Sequence, residues 1–170
     1  MRSNRIVLIS VVLALLALPI PFALAPCTPC PCPCPGKVTG GGQIGLCCGG
    51  KASFGFNIVC EEGDPVPKGE LQYVDHTMGM FDSAPMQVHA HDMLTLSVWD
   101  KETDSKKAHF TGECTIDHES GYTFEVCVQD NGEPGKDDVF VIKLFDGDTL
   151  IYQAGGWPIL HGNIQVHKKP

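Results

Sequence analysis

The sequence predicts an all-β fold, an antiparallel β-sandwich or closed β-barrel of about ten strands, and three observations carry that prediction. From Lys37 onwards, short runs alternate apolar and polar residues. Phe54, Phe56, Ile58 and Cys60 fall on one face of KASFGFNIVC, and Tyr122, Phe124, Val126 and Val128 on one face of GYTFEVCVQ. Such alternation marks strands with one buried and one wet face. Clusters of Gly, Asp, Asn and Pro punctuate the runs, and no stretch sustains a helical period. At 170 residues and 43% hydrophobic content, the chain can bury one ordinary core.

Strands are expected at 38–44, 51–60, 69–75, 86–91, 93–99, 107–116, 121–129, 138–145, 149–154 and 162–167. The glycines at 40–42 are no phosphate loop, because no helix follows and no Lys-Ser/Thr closes them. They are expected where a strand bends or packs closely. FDGDTL (145–150) reads as an ordinary hairpin turn.

The N-terminal segment stands apart from the domain. Arg2 and Arg5 precede an uncharged apolar run, Ile6 to Leu18, and Ala23 and Ala25 supply the A-x-A spacing of a signal-peptidase site. Residues 1–25 therefore read as a secretory signal. Pro26 directly after the cut disfavours cleavage, and Ile6 to Ala25 is long enough to span a bilayer, which keeps an uncleaved anchor helix open. Residues 26–36 contain only Cys, Pro, Thr and Gly. Proline at nearly every second position forbids helix and sheet and favours an extended polyproline tether. The all-β domain is expected over 37–170, secreted or on the cell surface, touching a membrane only through the N-terminal segment.

Nine cysteines in an oxidising compartment leave at least one free or intermolecular. The clearest expected pair is Cys114 with Cys127. With Ser120-Gly121 as a two-residue hairpin turn, they face each other within bridging distance. The plainer reading is two small buried residues. Adjacent Cys47 and Cys48 rarely bridge each other, so one is expected to reach Cys60 or the N-terminal cluster. In the tether, Cys27 and Cys30 form a C-x-x-C zinc half-site, extended by Cys32 and Cys34, but no second half-site follows. Polyproline geometry also turns successive side chains about 120° apart, so the four sulfurs do not converge on one ion. Disulfides within the tether, to the domain or to another chain are the stronger expectation.

Two further clusters bear on metal binding. His89 and His91 lie two apart on a strand, so both imidazoles leave one face, and His76, His109, His118 or His161 would supply a third ligand. Val88 and Ala90 occupy the opposite face, however, so the pair is more simply the wet side of an amphipathic strand. The loop DNGEPGKDD gathers Asp130, Glu133, Asp137 and Asp138, an oxygen-rich set of the kind that holds calcium. It lacks the DxDxDG spacing, and Asx residues are standard turn formers. No cofactor is expected, with calcium or zinc as the open alternatives.

No G-x-S-x-G, no H-E-x-x-H and no activated Cys/His pair occurs. Asp75 and His76, as strand neighbours, point to opposite faces. Twelve basic against 20 acidic residues give a net charge of −8, which excludes a phosphate-neutralising surface and so argues against nucleic acid.

With these segments in view, the chain resembles the post-COAP domain of secreted archaeal and bacterial proteins. The likeness runs in order through KVTGGGQI, KASFGFN, GELQYVDH, AHFTGECTI, GYTFEVCVQDNGEPGKDDVFVI and HGNIQVHK, over about 37–168. The chain departs from it in its added cysteines and in the EEGDPVPK insertion. The resemblance implies an extracellular all-β module appended to larger surface proteins, and it implies no catalytic residues. The expectation is a secreted or cell-surface non-catalytic β domain acting in binding or extracellular assembly, cross-linked through its N-terminal cysteines. Its partners would be copies of itself or other surface proteins. The alternatives are a metal-binding protein using His89/His91 or the Cys27–Cys34 cluster, and a small β-barrel enzyme.

Overall fold

The structure is a computed structural model that describes residues 36–77, 85–100 and 105–168, the side chains of Cys48, Asp100 and Lys168 apart. The expected signal and the tether cysteines lie outside the described residues. Within them, nine antiparallel strands build one sheet: β1 (Gly36–Gly45), β2 (Lys51–Cys60), β3 (Lys68–Asp75), β4 (Met86–Asp100), β5 (Lys106–Ile116), β6 (Glu119–Asp130), β7 (Val139–Asp146), β8 (Thr149–Pro158) and β9 (His161–Lys168). Strands β1 to β8 follow one another around the sheet, and β9 returns to pair with β1. A single 3-10 turn, Cys47–Gly49, joins β1 to β2. Gly36, expected to end the tether, already pairs with Cys60 and Lys168.

The all-β class is as expected; the strand count is not. The segments expected at 86–91 and 93–99 are one strand, β4, interrupted by bulges between His89 and Asp92 and between Met93 and Thr95. Its inward residues run Val88, Ala90, Met93, Leu96 and Val98. That spacing breaks strict alternation twice, and each bulge inserts the extra residue that returns apolar side chains to the core. Sequence alternation alone reads such a phase change as a gap between strands.

The sheet is neither a two-sheet sandwich nor a fully hydrogen-bonded barrel. It curls on itself, and its edge strands β8 and β9 do not pair with each other. Phe54 on β2 stacks on Phe140 on β7 with ring centroids 4.2 Å apart, so strands distant around the sheet meet through the interior. Phe56 contacts Phe110, and Phe110 contacts Phe124 edge-on; such pairs contribute roughly 0.5–1.5 kcal/mol each beyond area burial. The expected close approach at the glycine run is present. A Cβ on Gly40 would sit 2.5 Å from the Phe56 ring, and one on Gly42 would sit 2.2 Å from the His161 carbonyl oxygen.

Where β8 and β9 fail to pair, carboxylates of the 130–138 loop take the place of a neighbouring strand. The backbone N–H of Ile164 donates to Asp138 Oδ2 at 2.8 Å, and that of Val166 donates to Asp130 Oδ2 at 3.0 Å. Asp138 is fully buried and also accepts from Asn131 N at 2.9 Å. Glu133 Oε1 accepts from the amides of Asn163 and Gln165, both at 3.0 Å. An exposed row of β9 donors is thereby satisfied without a strand.

The β5–β6 hairpin corrects the register expected from the sequence. Its two-residue turn is Asp117-His118, both at positive φ (48° and 73°), between paired Ile116 and Glu119. This is the geometry of the turns that match strand twist in tight hairpins. In the resulting register Cys114 faces Tyr122, and Cys127 faces His109. Cys114 points into the core while Cys127 lies on the opposite face of the sheet, so the expected Cys114–Cys127 bridge does not form.

Candidate functional site

Alternation along β3 sends Leu71, Tyr73 and Asp75 inward, which places a carboxylate at a core position at the end of the strand. Tyr152 on β8 reaches it across the open side of the sheet. Tyr152 Oη donates to Asp75 Oδ2 at 2.8 Å, and the Tyr73 and Tyr152 hydroxyls lie 2.7 Å apart. With the Tyr152 proton committed to Asp75, the proton between the two tyrosines belongs to Tyr73. Thr77 adds donors to Asp75 Oδ1 from its backbone N–H at 2.8 Å and from its hydroxyl. Burial pushes both tyrosine hydroxyls well above the usual phenol range, reinforced in each case by the Asp75 charge. The chain of hydrogen bonds from Tyr73 through Tyr152 to Asp75 therefore keeps one direction at ordinary pH.

This network underlies a cavity of about 420 Å³ lined by residues that include Cys47, Asp75, Thr77, Tyr152, Gln153 and Trp157. Trp157 is 45% exposed and donates through Nε1 to the Gly45 carbonyl at 3.2 Å, which pins the ring between β8 and the end of β1. A second, shallower depression of about 430 Å³ lies on the outer face, where Gly55 leaves a gap among Ser53, Asn57, Glu70 and Gln72.

The sequence-predicted sites fall elsewhere. His89 is half-buried, and His91 is exposed, with Nε2 3.3 Å from Asp92. Among the described residues, neither meets the further ligands that a metal site requires. In the loop, Asp130, Glu133 and Asp138 accept from amide donors, and among the described residues Asp137 pairs with surface Lys136 at 3.8 Å. As expected, Asp75 and His76 diverge: His76 Nε2 bonds Ser53 Oγ at 2.8 Å.

Cys47 is exposed; Cys60 and Cys114 are buried; all three are reduced. Cys47 and Cys60 flank opposite ends of β2, roughly 30 Å apart at about 3.3 Å per residue, so they do not bridge. Burial lifts the Cys114 thiol to about 12.

One cluster was not expected. His109 Nε2 lies 3.2 Å from Glu125 Oε1, which Lys143 Nζ also approaches at 3.3 Å. Among the described residues, His109, Glu125 and Cys127 form a group of potential metal ligands. Burial lowers the His109 pKa, against the pull of Glu125, and favours a neutral ring. The sequence carries a faint signal for the tyrosine network, an acid on the inward register of YVD. Nothing local links Asp75 to Tyr152, which is 77 residues away. Compared with family models, with curated proteins and with solved structures, the chain finds no match.

Proposed function

We propose that the protein is a secreted or cell-surface, non-catalytic β domain that acts by binding, with the cavity between Asp75 and Trp157 as its ligand site. The observation that carries this reading is a buried carboxylate–tyrosine network beneath a cavity rimmed by a half-exposed tryptophan. Barrel mouths with an apolar wall and a few fixed polar groups are common ligand sites. Asp75 already has three donors, so its charge is compensated and does not call for a bound cation. Toward the cavity there remain the Gln153 amide, the acceptor lone pairs of the Thr77 hydroxyl and the face of the Trp157 ring. Neutral hydrogen bonding beside an aromatic face suits a hydroxylated, uncharged ligand such as a saccharide unit.

The resemblance to the post-COAP domain supports an extracellular module, and its motifs fall on β1, β2, β3, β5, β6, β7 and β9. Assembly with copies of itself or with other surface proteins through the tether cysteines belongs to the same proposal. Glycan-array screening followed by calorimetry tests the ligand site. The native domain binds a neutral glycan, and Trp157→Ala weakens it at least tenfold, about 1.4 kcal/mol. Absence of glycan binding, or equal binding by Trp157→Ala, overturns the assignment.

A further inference from the structure

Outward residues of β5 and β6 bring three different donor atoms to one spot. His109 faces Cys127 directly across the strand pair, and Glu125, two residues before Cys127, leaves the same face of β6. One His109 nitrogen, one Glu125 oxygen and the Cys127 sulfur lie within 4.8 Å of one another. An outward row in an antiparallel sheet is ordinarily wet. Here His109 and Cys127 are only 4% and 7% exposed. Among the described residues, neither His109 ring nitrogen has a hydrogen-bond partner. The Glu125 oxygen 3.2 Å from Nε2 is close enough for a hydrogen bond but lies off its direction. A buried polar group left in that state is destabilising, and a metal ion would use the idle lone pair.

The distances suit zinc. A tetrahedral ion with bonds of about 2.0 Å to nitrogen and oxygen holds those two atoms about 3.3 Å apart. The 3.2 Å between His109 Nε2 and Glu125 Oε1 already matches that edge. Lys143 Nζ spans both Glu125 oxygens, 3.3 Å from Oε1 and 3.4 Å from Oε2. By keeping Oε2 alone, it would orient the carboxylate and leave Oε1 to the ion. One thiolate and one carboxylate cancel a divalent charge, which suits a largely buried position. Sulfur beside imidazole selects a borderline-soft ion over calcium or magnesium. Burial favours the neutral His109 ring, the form that ligates.

Cys127 controls the set. It is disulfide-bonded, whereas Cys47, Cys60 and Cys114 are reduced. The thiolate is the metal ligand, so an intact disulfide leaves only two of the three donors.

We propose that His109, Glu125 and Cys127 form a zinc site that opens when the Cys127 disulfide is reduced. A dithiol reductant supplies two electrons and two protons to the two sulfurs and departs as a disulfide. Zinc then releases the Cys127 thiol proton to solvent and binds sulfur, nitrogen and oxygen, with water in the fourth position. The site is built on β5 and β6 alone, so it depends neither on which cysteine shares the disulfide nor on the cavity at Trp157.

Zinc titration of the full chain under chelator competition tests this, before and after reduction with dithiothreitol and its removal under nitrogen. Reduction should raise the tightly held zinc, and Glu125→Gln should lower that count by one ion. A second chain carrying Cys27→Ser, Cys30→Ser, Cys32→Ser, Cys34→Ser, Cys47→Ser and Cys48→Ser keeps Cys127 and the buried Cys60 and Cys114. It should bind one zinc, with a single sulfur in the X-ray absorption spectrum, and His109→Ala should weaken binding at least tenfold. Equal uptake by the reduced and unreduced native chains overturns the proposal, as does an unchanged count in Glu125→Gln. So does a folded serine chain that binds no zinc, binds it without sulfur or through two sulfurs, or is indifferent to His109→Ala. The native-chain comparison decides if the serine chain does not fold.

Discussion

Replacing Asp138 with alanine tests whether the 130–138 loop closes the sheet. The side chain is fully buried and accepts from two backbone donors, Asn131 N and Ile164 N. Removing it strands both, at about 1–3 kcal/mol per unsatisfied buried donor. Part of that loss is offset, because burial already disfavours the charged carboxylate and raises its pKa despite the two backbone bonds. The net expectation is a loss of about 2–4 kcal/mol, or roughly 10 °C in Tm for a domain of this size. Denaturant unfolding measures the first and calorimetry the second. Hydrogen exchange should also accelerate at Ile164 before it does in the β5–β6 hairpin. The control is Asp137→Ala: that side chain is exposed and, among the described residues, pairs with Lys136, so the change should stay within about 0.5 kcal/mol. Equal effects from the two substitutions, or a loss below about 1 kcal/mol from Asp138→Ala, would refute the closure argument.

Other outcomes follow from the same contacts. Millimolar calcium should leave Tm unchanged, because Asp130, Glu133 and Asp138 already accept from amides; a rise in Tm would restore a calcium site. Tyr152→Phe removes a donor from buried Asp75 and should cost about 1–3 kcal/mol in chemical denaturation, and an unchanged midpoint would contradict the network. Tyr73 and Tyr152 have folded pKa values above their ordinary 10.0. Their contribution to stability is therefore complete below pH 10 and lost as pH rises above it, since the unfolded chain ionises first. Thermal melts from pH 8 to 11 should show that decline, and a flat profile would refute it. Exposed Cys47 should react with a thiol reagent in the native state, whereas buried Cys114 should react only on unfolding. Equal native rates would contradict the burial.

Alternation made most of the fold legible in the sequence. KASFGFNIVC and GYTFEVCVQ became β2 and β6 with the inward sets expected. The hairpin at FDGDTL also formed, with Asp146 paired to Thr149. The β5–β6 hairpin was harder, because two adjacent pairs, Asp117-His118 and Ser120-Gly121, compete for the turn. Pairing residues by an assumed turn fixed a register that put Cys114 and Cys127 together, whereas the actual register sets them on opposite faces. Bulges in β4 misled for a related reason: an inserted residue is locally indistinguishable from the end of a strand.

By itself, the sequence determined the all-β class, the inward face of most strands and the close-packed glycine run, because these depend on period and side-chain volume between near neighbours. Only the tertiary structure decided what the acidic loop does, which polar side chains share a cavity and where each sulfur lies. Curling the sheet brings β3 to β8 and β9 to the 130–138 loop. Asp75 is thereby placed under Tyr152, and Asp138 at the free edge of β9. Those contacts rest on strand order and on the curl that lets core rings stack from β2 to β7, neither of which a local pattern encodes.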